Sequence, residues 1–179
     1  MIEKIRSMVL ELCKGKNWDW KVHMESVVKY SKILAKEVGA DAEVLEIAAW
    51  LHDIKKLKGE KKDHHIHGAE EAGEILKKLG YPKEKIAEVQ YCILTHSSDE
   101  LYPAETKEAK ILASADALSH FDNFAALAYG FFGQKKLNIA EGRKALLEKY
   151  YSCWKKIMPE ARYLAKERYD AIRLILGDY

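Results

Sequence analysis

The sequence predicts an all-α fold on three observations. Apolar residues recur at helical spacing through most of the 179 residues, alternating strand patterns bounded by hairpin turns are not evident, and glycine, proline and capping residues punctuate the chain. The length suits one domain over residues 1–179 with a substantial core, and nothing in the composition marks a second. A hydrophobic fraction of 48% with 32% charged residues belongs to a soluble globular protein and argues against disorder away from the ends.

Helices are expected over 2–14, 19–38, 41–54, 67–79, 82–97, 105–130, 139–156 and 159–177. The first rests on apolar periodicity alone. The second carries His23, Val27, Tyr30, Leu34 and Val38 in one register and ends at Gly39, which tolerates the left-handed conformation. Asp41 caps the third, whose apolar run Ile47–Leu51 leads into His52-Asp53. Gly80-Tyr81-Pro82 separates the fourth from the fifth, with Pro82 suited to a first helical turn. The fifth lines up Ile86, Val89, Ile93 and His96, and Pro103 belongs to the loop beyond it. The sixth places Asp116 one or two turns from Ala109 and Leu112, and Gly130 and Gly133 break it around Phe131-Phe132. In the last two helices Tyr150, Tyr151 and Trp154 are expected to pack the C-terminal segments together, while Trp18, Trp20 and Trp50 fill the core.

Composition excludes several function classes. Lys plus Arg total 30 against 28 for Asp plus Glu, and a net charge of +2 is too small for non-specific nucleic-acid binding. The lysines at 55, 56, 58, 61 and 62 form a local basic cluster that reads first as a solvated loop. Cys13, Cys92 and Cys153 are odd in number and lack a Cys-x-x-Cys spacing, which argues against disulfides or a thiolate zinc site. No stretch approaches the roughly 20 apolar residues that span a bilayer, and the N-terminus lacks a signal-peptide core. A cytoplasmic location is expected.

The chemistry-bearing residues are His23, the pair His52-Asp53, and Asp116. Imidazole and carboxylate suit a catalytic divalent ion better than a closed structural zinc site, and they point to metal-assisted hydrolysis. His23, His96 and Asp116 fall on apolar helix faces, and a buried carboxylate needs a cation or several donors beside it. A shared metal answers both demands. Adjacent residues on a helix diverge by about 100°, so His52 and Asp53 must approach an ion from different directions. The two oxygens of Asp53 also suit it to bridge two metals. His120 and Asp122 follow Asp116 and could border the pocket, with a capping or surface role the favoured reading for either.

The pattern His23, His52-Asp53, Asp116, with the lead-in Ala48-Ala49-Trp50-Leu51 and the helix Ile111–Asp116, resembles the HD-domain metal-dependent phosphohydrolase superfamily over about residues 20–125. The resemblance implies an all-helical bundle with the metal at its centre, and leaves a C-terminal extension over about 135–179 without a diagnostic motif. Within the superfamily, His67 and His96 resemble the intervening histidines of enzymes that hold two metals, and Lys56 matches the lysine of the HD-x-x-K variant, which meets a substrate phosphate. His64 and His65 read as exposed loop residues, although a shift of register would let either replace His67. These features look most like the diadenosine tetraphosphatase group. They also resemble cyclic-dinucleotide phosphodiesterases.

The resemblance implies hydrolysis of a phosphomonoester or phosphoanhydride of a nucleotide or related small metabolite. The alternatives are a cyclic-nucleotide or dinucleotide phosphodiesterase and a noncatalytic metal- or nucleotide-binding domain. His23, His52, Asp53 and Asp116 would hold one divalent ion, and His67 and His96, with Asp53 bridging, a second. Iron or manganese is favoured over nickel, zinc or magnesium. The expected partner is a small phosphorylated substrate, with no membrane and no stable nucleic-acid binding. The aromatic C-terminal helices permit a homodimer without requiring one.

Overall fold

The computed structural model describes residues 1–16, 19–97 and 101–177. Among the described residues there are ten α-helices and no strand: α1 (Ile2–Cys13), α2 (Trp20–Val38), α3 (Ala42–Leu51), α4 (Ile54–Leu57), α5 (His64–Lys78), α6 (Lys83–Thr95), α7 (Lys107–Asp122), α8 (Phe124–Ala128), α9 (Ile139–Lys156) and α10 (Lys166–Leu176). Among the described residues no helix is long and apolar enough to cross a membrane.

Caps set the helix ends that matter for the site. The Asp19 carboxylate accepts from the Val22 amide at the start of α2, and Gly39 closes that helix at φ 70°, where its amide and that of Ala40 both reach the Ala35 carbonyl. Asp41 caps α3 by accepting from the Glu43 and Val44 amides. Helix α7 is the axis of the molecule. Ala109 and every residue from Ile111 to Phe121 are buried, because α2, α3, α6 and α9 surround it. Truncating a fully buried side chain such as Leu118 would cost about 2–5 kcal/mol, the range for Leu→Ala in a close-packed core.

Three expected helices change shape. The segment 41–54 stops at Leu51, Asp53 takes φ −110° and ψ 20°, and α4 restarts the helix in a new direction. The segment 105–130 breaks at Asn123 rather than at Gly130. There φ −124° and ψ 46° leave the helical region, and the Asn123 amide group donates to the Asp19 carbonyl at the entry to α2. Gly133 lies in a π-helical turn over Tyr129–Gln134, where a Cβ would stand 2.6 Å from the Tyr129 ring. The segment 159–177 is a 3-10 turn, Pro159–Leu164, followed by α10.

The C-terminal helices are docked on the bundle. Tyr150 donates to the His120 carbonyl and packs against Phe121 and Phe124, Trp154 stacks on Tyr169, and Tyr151 is exposed. Asp122, expected at the surface or in a cap, gathers Ser26, Lys29 and Tyr30 of α2 and Arg168 of α10. Trp50 is core, Trp20 is partly buried, and Trp18 lies outside the described residues. Cys92 and Cys153 are buried free thiols, and burial pushes Cys92 up to about 12. Gly80-Tyr81-Pro82 makes the α5–α6 turn. Its Tyr81 lies near Asp41 and Glu43, at the opposite end of α3 from His52.

Candidate metal centre

Five elements bring their ends or inner faces to one point. His23 projects from the first turn of α2, held inward by the same register as Val27, Tyr30 and Leu34. His52 follows the last residue of α3, and the backbone break at Asp53 turns that carboxylate toward its neighbour's ring. The break removes the divergence that a continuous helix would impose on adjacent side chains. His96 follows α6, His64 opens α5, and Asp116 stands in the middle of α7. His23, His52, Asp53, His96 and Asp116 are all at most 9% exposed.

The Asp53 oxygens divide the site in two. Oδ2 lies 3.6 Å from His23 Nε2 and 3.5 Å from His52 Nε2, while Oδ1 lies 3.7 Å from His64 Nε2 and 3.5 Å from His96 Nε2. Asp116 Oδ1 completes the first group, 3.7 Å from His23 Nε2 and 3.8 Å from His52 Nε2. Ligand atoms about 2.1 Å from one ion stand roughly 3 Å apart at right angles, so both groups are near coordinating size. His23, His52 and Asp53 form one cluster able to hold an ion, and Asp53, His64 and His96 another.

Hydrogen bonds fix the tautomers. The His52, His96 and His64 Nδ1 atoms meet the carbonyls of Ala49 at 2.8 Å, Ile93 at 2.6 Å and Lys61 at 3.1 Å. A carbonyl only accepts, so each Nδ1 carries the proton. Ser119 donates its hydroxyl to the Asp116 carbonyl at 2.6 Å and therefore accepts from His23 Nδ1 at 2.9 Å. All four Nε2 atoms are left with lone pairs turned toward the carboxylates. His23 Nε2 and His52 Nε2 face each other at 3.2 Å, and His64 Nε2 is buried without a hydrogen-bond partner. Such lone pairs repel one another unless a cation lies between them, and the donor set fits a divalent ion.

Two lysines balance the two carboxylates. Lys56 Nζ is 3.0 Å from Asp53 Oδ1, and Lys156 Nζ is 2.7 Å from Asp116 Oδ2. Burial alone would raise both carboxyls. The Lys56 ammonium outweighs it at Asp53, as Lys156 does at Asp116, and both are held well below the usual carboxylate range. Burial pushes His52 down to about 3, and burial followed by Lys56 pushes His64 down to about 4. These rings are neutral near pH 7, the form that ligates metal.

His67 does not join the cluster. The helix expected over 67–79 begins one turn earlier, at His64. Its inward stripe is His65, Gly68, Ala69, Ala72 and Leu76, with His64 beside it, and His67 faces outward, 48% exposed, 3.7 Å from Glu60. The small residues Gly68, Ala69, Ala72 and Gly73 were the signal in the sequence that the buried face passes near His64. His120, read as peripheral, is buried and stacked on His23 at 5.4 Å, with Nε2 3.9 Å from Asp116 Oδ1. Its place one turn beyond Asp116 was visible in the spacing. Lys156 had no local signal, since only the docking of α9 on α7 brings it to Asp116.

Comparison with known proteins follows the same residues. The model of the HD domain family matches residues 21–120. Over 99 residues the chain is 32% identical to ribonuclease Y of Petrotoga mobilis and 34% identical to ribonuclease Y of Alkaliphilus metalliredigens. These alignments take in 54% of this chain but only 17% and 19% of those proteins, so the chain spans less than a fifth of their length. It superposes on Bacillus subtilis YpgQ with a TM-score of 0.75 at 23% identity, covering 99% of this chain and 94% of that one. YpgQ in complex with ADP gives 0.72 at 22%, covering 99% and 97%, and an HD-superfamily hydrolase from Bacillus thuringiensis gives 0.73 at 20%, covering 99% and 93%. At these identities the structural likeness shows a shared fold.

Proposed function

The chain belongs to the HD domain family, and from that premise we propose that it is a metal-dependent phosphohydrolase cleaving a phosphomonoester or phosphoanhydride of a nucleotide or related small metabolite. The observation that carries this reading is the set of inward Nε2 lone pairs divided between the two oxygens of Asp53. His23, His52, Asp53 and Asp116 would hold one divalent ion, and Asp53, His64 and His96 a second. Iron or manganese suits this mixed imidazole and carboxylate set, in which no thiolate takes part. A nucleotide is favoured because YpgQ, which shares the fold, binds ADP.

Divalent ions bound there would bring the pKa of coordinated water toward neutrality and draw charge off the phosphoryl oxygens. The protein's own part is arrangement. The Nδ1 bonds to Ala49, Ile93, Lys61 and Ser119 hold each imidazole in one tautomer and orientation before any ligand arrives. Lys56, whose side chain is 30% exposed, stands at the rim over Asp53, where its ammonium would meet a phosphoryl oxygen and stabilise the charge that develops on it. Lys156 holds Asp116 in place from the other side.

The test is a metal assay of protein purified with and without oxygen, coupled to turnover of a panel of phosphomonoesters, nucleotides and phosphodiesters. Asp53→Ala should abolish hydrolysis and lower bound metal while far-UV circular dichroism stays unchanged. Full activity in that variant sinks the mechanism. Lys56→Ala should lower kcat/KM through both weaker phosphate engagement and a lower kcat, and an unchanged kinetic profile removes Lys56 from the site.

A further inference from the structure

Among the described residues, nothing answers either ring nitrogen of His120, which stands at the edge of the metal centre. The residue is 9% exposed, and its Nδ1 is buried without a hydrogen-bond partner. Nε2 lies 3.9 Å from Asp116 Oδ1, beyond hydrogen-bond reach. His52, His64 and His96 instead commit Nδ1 to a carbonyl, and His23 commits it to Ser119. A side chain that only filled this space would be better apolar, because a buried polar group left unpaired costs about 1–3 kcal/mol.

The place of the ring matches that of the donors around the first ion. His120 follows Asp116 by four residues on α7, a spacing that sets two ligands on one helix face, as the histidines of an H-E-x-x-H helix are set. Asp116 turns Oδ2 to Lys156 and Oδ1 to His23 and His52, and it is Oδ1 that His120 Nε2 approaches. The gap of 3.9 Å is close to the 3.5–3.8 Å between the other imidazole nitrogens and carboxylate oxygens of that group. Its ring centroid is 5.4 Å from that of His23, against 5.3 Å between His23 and His52. Tyr150 steadies the backbone there by donating to the His120 carbonyl.

We propose that His120 is a further ligand of the first ion, beside His23, His52, Asp53 and Asp116, and that it biases this site toward iron(II) or cobalt(II) over manganese(II) or magnesium. The proposal rests on the reading of those four residues as a metal site. A third imidazole makes the donor set richer in nitrogen. Nitrogen ligands favour the later divalent metals, whereas carboxylates suit manganese and magnesium. Nε2 takes the bond, since it is the nitrogen beside Asp116 Oδ1, and Nδ1 keeps the proton. Without a carbonyl or hydroxyl on Nδ1, this ligand is held less firmly than the four histidines whose Nδ1 is engaged. Such outer partners are typically worth about 10–100-fold in metal affinity, so His120 tunes which ion is held rather than whether one is held.

The experiment loads the full chain and its His120→Phe variant, which keeps a ring in the space, with cobalt(II) or manganese(II), and neither readout uses turnover. With two cobalt ions bound, proton NMR of the parent should show five exchangeable, paramagnetically shifted ring N–H resonances, from His23, His52, His64, His96 and His120. With only the first site filled it should show three, and the variant should show one fewer in either case. Competition titration against a chelator should find one cobalt ion bound at least tenfold more weakly in the variant, with a loss for manganese at least about threefold smaller. Four resonances in the two-ion parent, or two in the one-ion parent, overturn the proposal even if the variant does not fold. An unchanged cobalt affinity also overturns it, as does an equal loss for both metals, which is what a loosened core would give. A parent that binds no cobalt overturns the metal-site reading as well, whereas a parent that binds cobalt and lacks the extra resonance overturns the role of His120 alone.

Discussion

Replacing Lys156 by Met keeps most of its volume and removes its charge, so it isolates what the ammonium does for Asp116. The pair is 2.7 Å apart, with side chains 16% and 12% exposed. Removing one member of a buried ion pair typically costs about 3–5 kcal/mol because the other charge stays behind without compensation, and the residual exposure of this pair places it near the lower end, about 3 kcal/mol. For a chain of this size each kcal/mol moves Tm by about 2–4 °C, so Lys156→Met should lower the Tm of chelator-treated protein by roughly 6–12 °C. A divalent ion on Asp116 supplies the missing positive charge. With saturating manganese the same substitution should cost less than about 1 kcal/mol, a shift below roughly 4 °C. Differential scanning calorimetry with and without manganese measures both. Equal shifts in the two conditions would mean that Lys156 acts through packing, and that Asp116 does not share its charge with an ion.

Three further outcomes are expected. His64→Ala should reduce bound metal from two ions per chain to one by elemental analysis, and His67→Ala should leave two; the reverse pattern would restore His67 to the centre. Ser119→Ala removes the acceptor that orients His23, and a competition titration against a chelator should show about 10–100-fold weaker metal binding, with unchanged affinity counting against the tautomer argument. The metal-free protein should lose stability on acidification. His52 and His64 protonate near 6.5 when unfolded but only near 3 and 4 when folded, so below pH 6.5 the unfolded chain binds more protons. The stability these rings contribute is complete above that pH and declines as it falls toward 4. Urea midpoints between pH 7.5 and 4.5 check this, and a flat profile refutes it.

Much of this arrangement was legible in the sequence because it follows from helical register. His23, His96 and Asp116 sit on apolar stripes, and a stripe shows which side chains turn inward. Adjacent His52 and Asp53 already required two directions of approach, and the structure meets that requirement with a break at Asp53 that periodicity could not reveal. His67 lies outside the cluster because α5 begins one turn before it, which turns His64 rather than His67 toward Asp53 in a closely spaced group of histidines. His120 shared a face with Asp116, yet polar residues near a helix end usually face solvent, and only the packing of Tyr150 and α9 covers this one. Lys156 is 40 residues from its partner, and no local pattern encodes so distant a contact.

Asp122 fastens α2 to α7 through Ser26, Lys29 and Tyr30, one turn and a half beyond Asp116 on the same helix that faces His23. The mutual positions of His23 and Asp116 are therefore tied to the packing of α2 on α7. Metal capture in such a protein resembles filling a rigid socket more than closing a clamp: the ordering entropy has already been met by the core. The rate of loading should follow the dehydration of the incoming ion, and the protein should give the ion up slowly without any large rearrangement of its helices.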